Sequence, residues 1–353
     1  MNEDTTSADF DHAVSSAMSR ITRFVAPVGT PANELLDPLT SLSSRGKRLR
    51  ARLLVMAHEA AGGGRRDAAV RVAAALELFQ VAALVHDDVL DDSDTRRGLP
   101  STHRVIQGVH AESHWRGDSA RFGTSSAILA GDLALMACMS ELVGALVGVD
   151  AEVAAAVGDR FSHMASVCTA GQYLDLRLAA QSLESLPNAR EDILEVMRAK
   201  TASYTTVGPL ALGAALAGGP RHTVDQWAAI GLPLGVAFQL RDDVLGVIGS
   251  EAETGKPAGD DLREGKPTLL LAHALAHSDA AGRELIADAV GGDAQSVAAA
   301  VSVLVRSGAI DAAETEITRL ANEARTLLES VPMDALHRER LFTFFDATTN
   351  RVF

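Results

Sequence analysis

The segment Ala83–Gly98 reads ALVHDDVLDDSDTRRG and concentrates groups that can do chemistry. Asp87 and Asp91 are four residues apart, so on a helix they share one face, one turn apart. With Asp88 they form a DDxxD pattern. Two carboxylates on one face repel each other unless a cation lies between them. Hard oxygen donors in such small number suit Mg²⁺, which keeps several waters and bridges carboxylates to substrate phosphates. Arg96 and Arg97 follow directly, and a guanidinium fork matches phosphate oxygens. The plain alternative is a solvated acidic helix end followed by a basic turn. The helix dipole weakens it, because Asp is unfavourable near a helix C-terminus. An EF-hand fails, since the run lacks Gly at the sixth position and Glu at the twelfth.

A second, weaker cluster lies in Gly235–Gly249, GVAFQLRDDVLGVIG. Gln239 and Asp242 share a helix face there, while position 246, one turn after Asp242, is Gly. Alone this reads as a polar patch on a core helix. Beside the first cluster it suggests two metal-binding walls facing each other across a cavity. Cations that could hold phosphate are Lys47 and Arg50 in RGKRLR, Lys200 before Thr201, and Lys256 and Lys266 around a polar stretch. Each singly reads as a solvated surface charge. Gly259–Pro267 is not a P-loop: five residues rather than four lie between its glycines, Pro267 follows Lys266, and no strand precedes it. His110 and His114 in HAESH lack the HExxH spacing, and His86 reads as a packed neighbour of the Asp cluster. No nucleophile motif is present.

Helices must position these groups. Aromatics make up only 4 % of the chain, Ala and Leu abound, and no alternating pattern is long enough to demand a sheet. Helical spacing is expected over 67–90, 123–145, 150–178, 189–204, 222–247 and 308–331, with breaks at Gly62–Gly64, Gly98–Pro100, Gly218–Pro220 and Gly291–Asp293. Residues 106–122 and 249–267 read as polar loops. The expected fold is all-α: a single domain over 15–353, with 1–14 a flexible tail. The 353 residues carry a net charge of −14, which argues against a nucleic-acid binder. Cys138 and Cys168 are too few for a disulfide framework and read as buried thiols. The acidic N-terminus shows no signal peptide, and the longest apolar run, Val207–Gly219, is too short to span a bilayer. A cytoplasmic protein without a transmembrane segment is expected.

In order along the chain, GKRLR, ELFQVAALVHDDVLDDSDTRRG, GQYLD, KT, FQLRDD and GK…DDLREGK make the sequence resemble the trans-isoprenyl diphosphate synthases, or polyprenyl synthetases, over about residues 15–350. The resemblance implies long helices around a deep central cavity and a homodimer. It implies Mg²⁺-dependent head-to-tail condensation of an allylic diphosphate with isopentenyl diphosphate. By position, Asp87 and Asp91 would bind two Mg²⁺ and Asp242 a third. Arg96, Lys200, Gln239, Lys256 and Lys266 would grip the allylic diphosphate. Gly46, Lys47, Arg50, Gln80 and Arg97 match the isopentenyl diphosphate site. Asp88 and Asp243 complete the Asp pairs, and Thr201 would face the cation formed in the reaction.

Two positions depart from the family pattern. Gln80 stands where many members have His, and both donate to phosphate. Gly246 replaces the last Asp of the second DDxxD, so a supporting carboxylate is gone. The resemblance also bears on product length. Ala82 and Ala83 stand where aromatics close the pocket of fifteen-carbon synthases. One turn deeper, about 5.4 Å along the axis, Phe79 is the expected floor, with Leu76 below it. The expected product is geranylgeranyl diphosphate. Rival readings are a cyclase of the same fold, which has no need of Lys47, Arg50 and Arg97, an inactive partner subunit, which would have lost the first Asp cluster, and a non-catalytic acidic metal-binding protein.

Overall fold

The structure is a computed structural model that describes residues 3–249 and 259–350. Lys256, expected among the phosphate ligands, lies outside the described residues. Backbone contacts divide the chain into two compact units, Met1–Glu59 with Gly63–Gly158, and Ala60–Gly62 with Asp159–Phe353.

The first unit holds α1 (Glu3–Val25), α2 (Asn33–Ser43), α3 (Leu49–Ala60), α4 (Arg66–Leu90), α5 (Thr102–Glu112) and α6 (Ser119–Ala145). Its centre is an alanine seam. Ala73, Ala74, Ala75 and Ala82 of α4 and Ala127, Ala130, Ala134 and Ala137 of α6 are all buried. Small side chains let two helices approach closely, and a Cβ at Gly131 of α6 would overlap the ring of His86. The first turns of the chain are not a tail. Residues 3–14 belong to α1, and Phe10, Val14, Ala17 and Ile21 are buried at helical spacing.

The expected loop at 106–122 is also corrected. Most of it is α5 and the start of α6, joined by residues 113–118. This helix buries mainly Thr102, His103, Ile106 and His110, too polar a face to announce itself. His110 sits against Trp115 and Phe122, its Nε2 3.2 Å from the Arg116 carbonyl. Both α4 and α6 are long and apolar enough, by length and composition, to cross a membrane, which the unbroken-run criterion overlooked. In α4 that stretch is 78 % buried and in α6 44 %. On α6, Ile128, Leu129, Met136, Met139 and Val143 are exposed.

The second unit contains most of α7 (Ala151–Ala179), α8 (Arg190–Val196), a π-helix (Met197–Val207), α9 (Gly208–Leu216), α10 (Arg221–Ile248), α11 (Asp260–Arg263) and five more helices, α12 to α16, ending at Asn350. The helix expected over 189–204 therefore changes winding at Met197. Hydroxyls accompany the change: Ser203 Oγ donates to the Ala199 carbonyl, and Thr206 Oγ1 to those of Ala202 and Gly231. Glycines clamp the π-helix on two sides. A Cβ at Gly171 of α7 would lie 2.5 Å from Ala199 C, and one at Gly235 of α10 would lie 2.5 Å from Ala202 Cβ. Among the described residues, β structure is limited to the paired dipeptides Thr95–Arg96 (β1) and Leu99–Pro100 (β2). All-α is the class the sequence led us to expect.

Candidate active site

In the first unit, α4 ends on the acidic motif. Asp87 and Asp88 lie in its last turn and Asp91 is its C-cap, donating its backbone N–H to the Asp87 carbonyl at 2.9 Å. The two Asp neighbours point differently. Asp88 is 1 % exposed and its Oδ1 accepts from Arg96 Nε at 2.6 Å. Asp87 is half-buried, with Arg96 Nη2 at 3.5 Å. Asp88 thus anchors Arg96, while Asp87 and Asp91 stay on the outer face. Burial acts to lower the Arg96 guanidinium, but Asp88 and then Asp87 outweigh it, and Arg96 is held above its ordinary pKa.

A two-residue hairpin loop aims the next arginine elsewhere. Arg97 and Gly98 join β1 to β2 at φ 54° and 73°, the left-handed pair of a type I′ turn. For Arg97 that conformation costs on the order of 1–2 kcal/mol. Its Nη1 donates to the Leu42 carbonyl at 3.1 Å and to that of Arg45. Gly46, at φ 130°, leaves room for it, since a Cβ there would be 3.2 Å from both terminal guanidinium nitrogens. Burial lowers the Arg97 pKa, Glu77 opposes the fall, and Arg50, Arg48 and Arg96 add to it. Arg50 is buried and Lys47 exposed. Gln80 is half-buried on α4. Sequence reasoning missed Glu77, which organises this corner. It lies 3 % exposed, accepts from Ala51 N at 3.2 Å and from Arg48 Nη1 at 3.4 Å. The ELFQ segment carried it in view, but an acidic residue within an apolar run gave no sign of its partner.

In the second unit, the π-helix and α10 present a polar chain. Thr201 Oγ1 donates to Gln239 Oε1 at 2.7 Å, and Gln239 Nε2 donates to Asp243 Oδ1 at 2.8 Å. Burial pushes the Asp243 carboxyl up to about 7, against the pull of Lys266. Lys200 Nζ donates to Asp175 Oδ2 at 2.6 Å. Asp175, the last residue of GQYLD, is a second residue that sequence reasoning passed over. These side chains, with Met197, Lys266 and Thr268, line a cleft of about 50 Å³. Asp242 is half-buried beside Asp243. On α4, Leu76, Phe79 and Ala82 are buried and Ala83 half-buried.

Among the described residues no three His, Cys, Asp or Glu side chains gather to hold a metal ion unaided. Asp87 and Asp91, two carboxylates one turn apart at the end of α4, are hard oxygen donors that fit Mg²⁺ completed by substrate oxygens and water. His110 and His114 form no such group either.

A family model for the polyprenyl synthetases matches residues 32–305. The chain belongs to the polyprenyl synthetase family. This polyprenyl synthetase is 33 % identical to the geranylfarnesyl diphosphate synthase of Aeropyrum pernix, over 88 % of this chain and 92 % of that one. To the geranylgeranyl diphosphate synthase of Saccharolobus solfataricus it is 31 % identical, over 82 % and 80 %. Its fold matches the crystal structure of geranylgeranyl pyrophosphate synthase from Corynebacterium glutamicum, complexed with isoprenyl diphosphate and magnesium. There the TM-score is 0.92 at 34 % identity, covering 99 % of this chain and 100 % of that one. The enzyme is a trans-prenyltransferase, a trans-prenyl diphosphate synthase of a Mg²⁺-dependent family.

Proposed function

We propose that this synthase makes geranylgeranyl diphosphate, with Asp87 and Asp91 as ligands for two Mg²⁺ and Asp242 for a third. The observation that carries the reading lies in the first unit. There Arg96 is held by Asp88 and Asp87, while Arg97 turns to the Leu42 and Arg45 carbonyls beside Gly46 and interacts electrostatically with Arg50, so the two neighbouring arginines serve different groups and two diphosphates can be held. An enzyme that ionises one finished diphosphate has no use for the second site.

Bound Mg²⁺ supplies charge that stabilises the departing diphosphate. The chain's own groups do the rest. Arg96, steadied by Asp88, and Lys200, Lys256 and Lys266 offset the charge that builds on the allylic oxygen as its C–O bond breaks. Lys47, Arg50, Gln80 and Arg97 hold isopentenyl diphosphate so that its double bond meets the allylic carbon at close range, making attack effectively intramolecular. The electron pair of that double bond forms the new C–C bond. A proton then leaves the adjacent carbon for the released diphosphate. Thr201 and the carbonyls around it face the transient cation, and the apolar walls of α4 exclude the water that would quench it. Phe79 sets the depth of that wall. The exposed apolar face of α6 supports a homodimer, because such a stripe is covered in a stable assembly.

The test is a product assay with Mg²⁺, labelled isopentenyl diphosphate and each allylic primer in turn. Products ending at twenty carbons are expected. Longer products would overturn the length, and hydrocarbon released from geranylgeranyl diphosphate alone would overturn condensation in favour of a cyclase.

A further inference from the structure

The turn before α3 is held from an unexpected side. Gly46 and Arg48 both adopt positive φ, 130° and 52°. A non-glycine residue keeps such a conformation only where its surroundings fix it. The Arg48 carbonyl accepts from Arg52 N–H at 2.9 Å and so opens the first turn of α3, which carries Arg50. Lys47 lies between the two positive-φ residues. The Arg48 side chain turns inward and is 3 % exposed. Its Nη1 donates to Glu77 Oε2 at 3.4 Å and its Nη2 to the Ser43 carbonyl at 2.7 Å. Its Nε donates to Asp11 Oδ1 at 2.9 Å, and Nη2 lies 2.8 Å from the same oxygen. Each guanidinium nitrogen thus has an acceptor within the protein. Asp11 belongs to α1, outside residues 32–305 that the family model matches. Buried Phe10 and Val14 seat that stretch of α1, and Asp9 accepts from Arg66 of α4 at 2.9 Å. The corner is crowded with like charge, since Arg50 and Arg48 both act to lower the Arg97 pKa. A carboxylate that draws one guanidinium aside therefore matters to the others.

We infer that Asp11 is a positioning residue for isopentenyl diphosphate: it holds Arg48 inward and so fixes the turn from which Lys47 and Arg50 serve the substrate. The first helix of the chain is then part of how that site is built. The inference rests on the proposed assignment of Lys47, Arg50 and Arg97 to isopentenyl diphosphate.

The test is steady-state kinetics on the full-length enzyme, varying isopentenyl diphosphate and the allylic diphosphate in turn, with thermal melts beside it. Asp11→Ala should raise the KM for isopentenyl diphosphate about tenfold, less than the about 100-fold that a 1 Å misplacement can cost, because Glu77 and the Ser43 carbonyl still hold Arg48. Both kcat and the allylic KM should stay within about twofold, the pattern of lost binding rather than lost chemistry. Asp11→Glu keeps the charge and should recover the KM to within about threefold. Asp9→Ala breaks the neighbouring pair to Arg66 and should leave both KM values alone, which a merely structural role for α1 would not. An unchanged KM in Asp11→Ala would overturn the inference, as would equal losses for both substrates or the same rise in Asp9→Ala. If Asp11→Ala does not fold, Asp11→Asn, similar in shape and uncharged, decides by the same readings. Lys47→Ala keeps two failures apart: if it leaves the KM for isopentenyl diphosphate unchanged, the assigned substrate site falls and the inference with it.

Discussion

Lys200 and Thr201 ride on the π-helix, and Gly171 of α7 touches that backbone from the side. Gly171→Ala tests whether this contact sets their position. The added methyl would lie 2.5 Å from Ala199 C and 2.7 Å from Lys200 Cα. Carbon atoms rest about 3.5–4.0 Å apart, so the backbones must separate by roughly 1 Å. Neither neighbour is a flexible tip that can swing aside. Overpacking of this kind costs about 1–3 kcal/mol. A displacement of about 1 Å at a catalytic group can cost about 100-fold in rate. The expected variant is folded, with a melting point lowered by roughly 2–4 °C per kcal/mol and kcat down by one to two orders of magnitude. Gly158→Ala, on the same helix with nothing within 4 Å of the new methyl, is the control. It should leave kcat alone and stabilise by up to about 1 kcal/mol through helix propensity. A Gly171→Ala enzyme that turns over within threefold of wild type would refute the idea that the clamp positions Lys200.

Phe79→Ala should lengthen the main product by one or two five-carbon units, read by chromatography of the dephosphorylated alcohols, at a stability cost of about 3–5 kcal/mol. An unchanged product would move the floor elsewhere. Asp243 gives a pH test in Mg²⁺-free buffer. Its carboxyl titrates at about 7 in the folded chain because of burial, against 3.8 as the ordinary value. The folded state thus holds the extra proton between those values. Its contribution is complete below about pH 4 and is lost as pH rises through 7. Asp243→Asn should lack that decline and melt higher than wild type at pH 8. Parallel melting curves for the two proteins across pH 4–8 would contradict this.

The parts of the site that were legible in the sequence obey local geometry. Asp87 and Asp91 share a face because four residues make about one turn, and nothing distant alters that. Gly46 and Arg97 could be matched by resemblance, but not their reason: a left-handed hairpin residue reaching carbonyls some fifty positions earlier. Asp11 was hidden for a similar cause, since the packing of α1, not a spacing, brings it to Arg48. In α1 the signal was present. Phe10, Val14, Ala17 and Ile21 recur at helical intervals, yet the acidic composition of the first ten residues outweighed them. In α5 it was nearly absent, because two of its four principal buried side chains are histidines. Nothing in the apolar spacing of MRAKTASYTTV announces the π-helix; the glycines of α7 and α10 that pack on it come from distant parts of the chain.

The alanine seam between α4 and α6 has a consequence for how this enzyme can vary. Alanine surrenders no rotamer freedom when buried, so the helix carrying Asp87 is fixed without freezing side chains. The seam also has no slack, because a methyl cannot rotate out of the way of a larger neighbour. Substitutions along it are therefore all-or-none, while Phe79 on the same helix can be trimmed. Inherited change in this lineage should accumulate in the depth of the product channel and spare the spacing of the two helices that frame it.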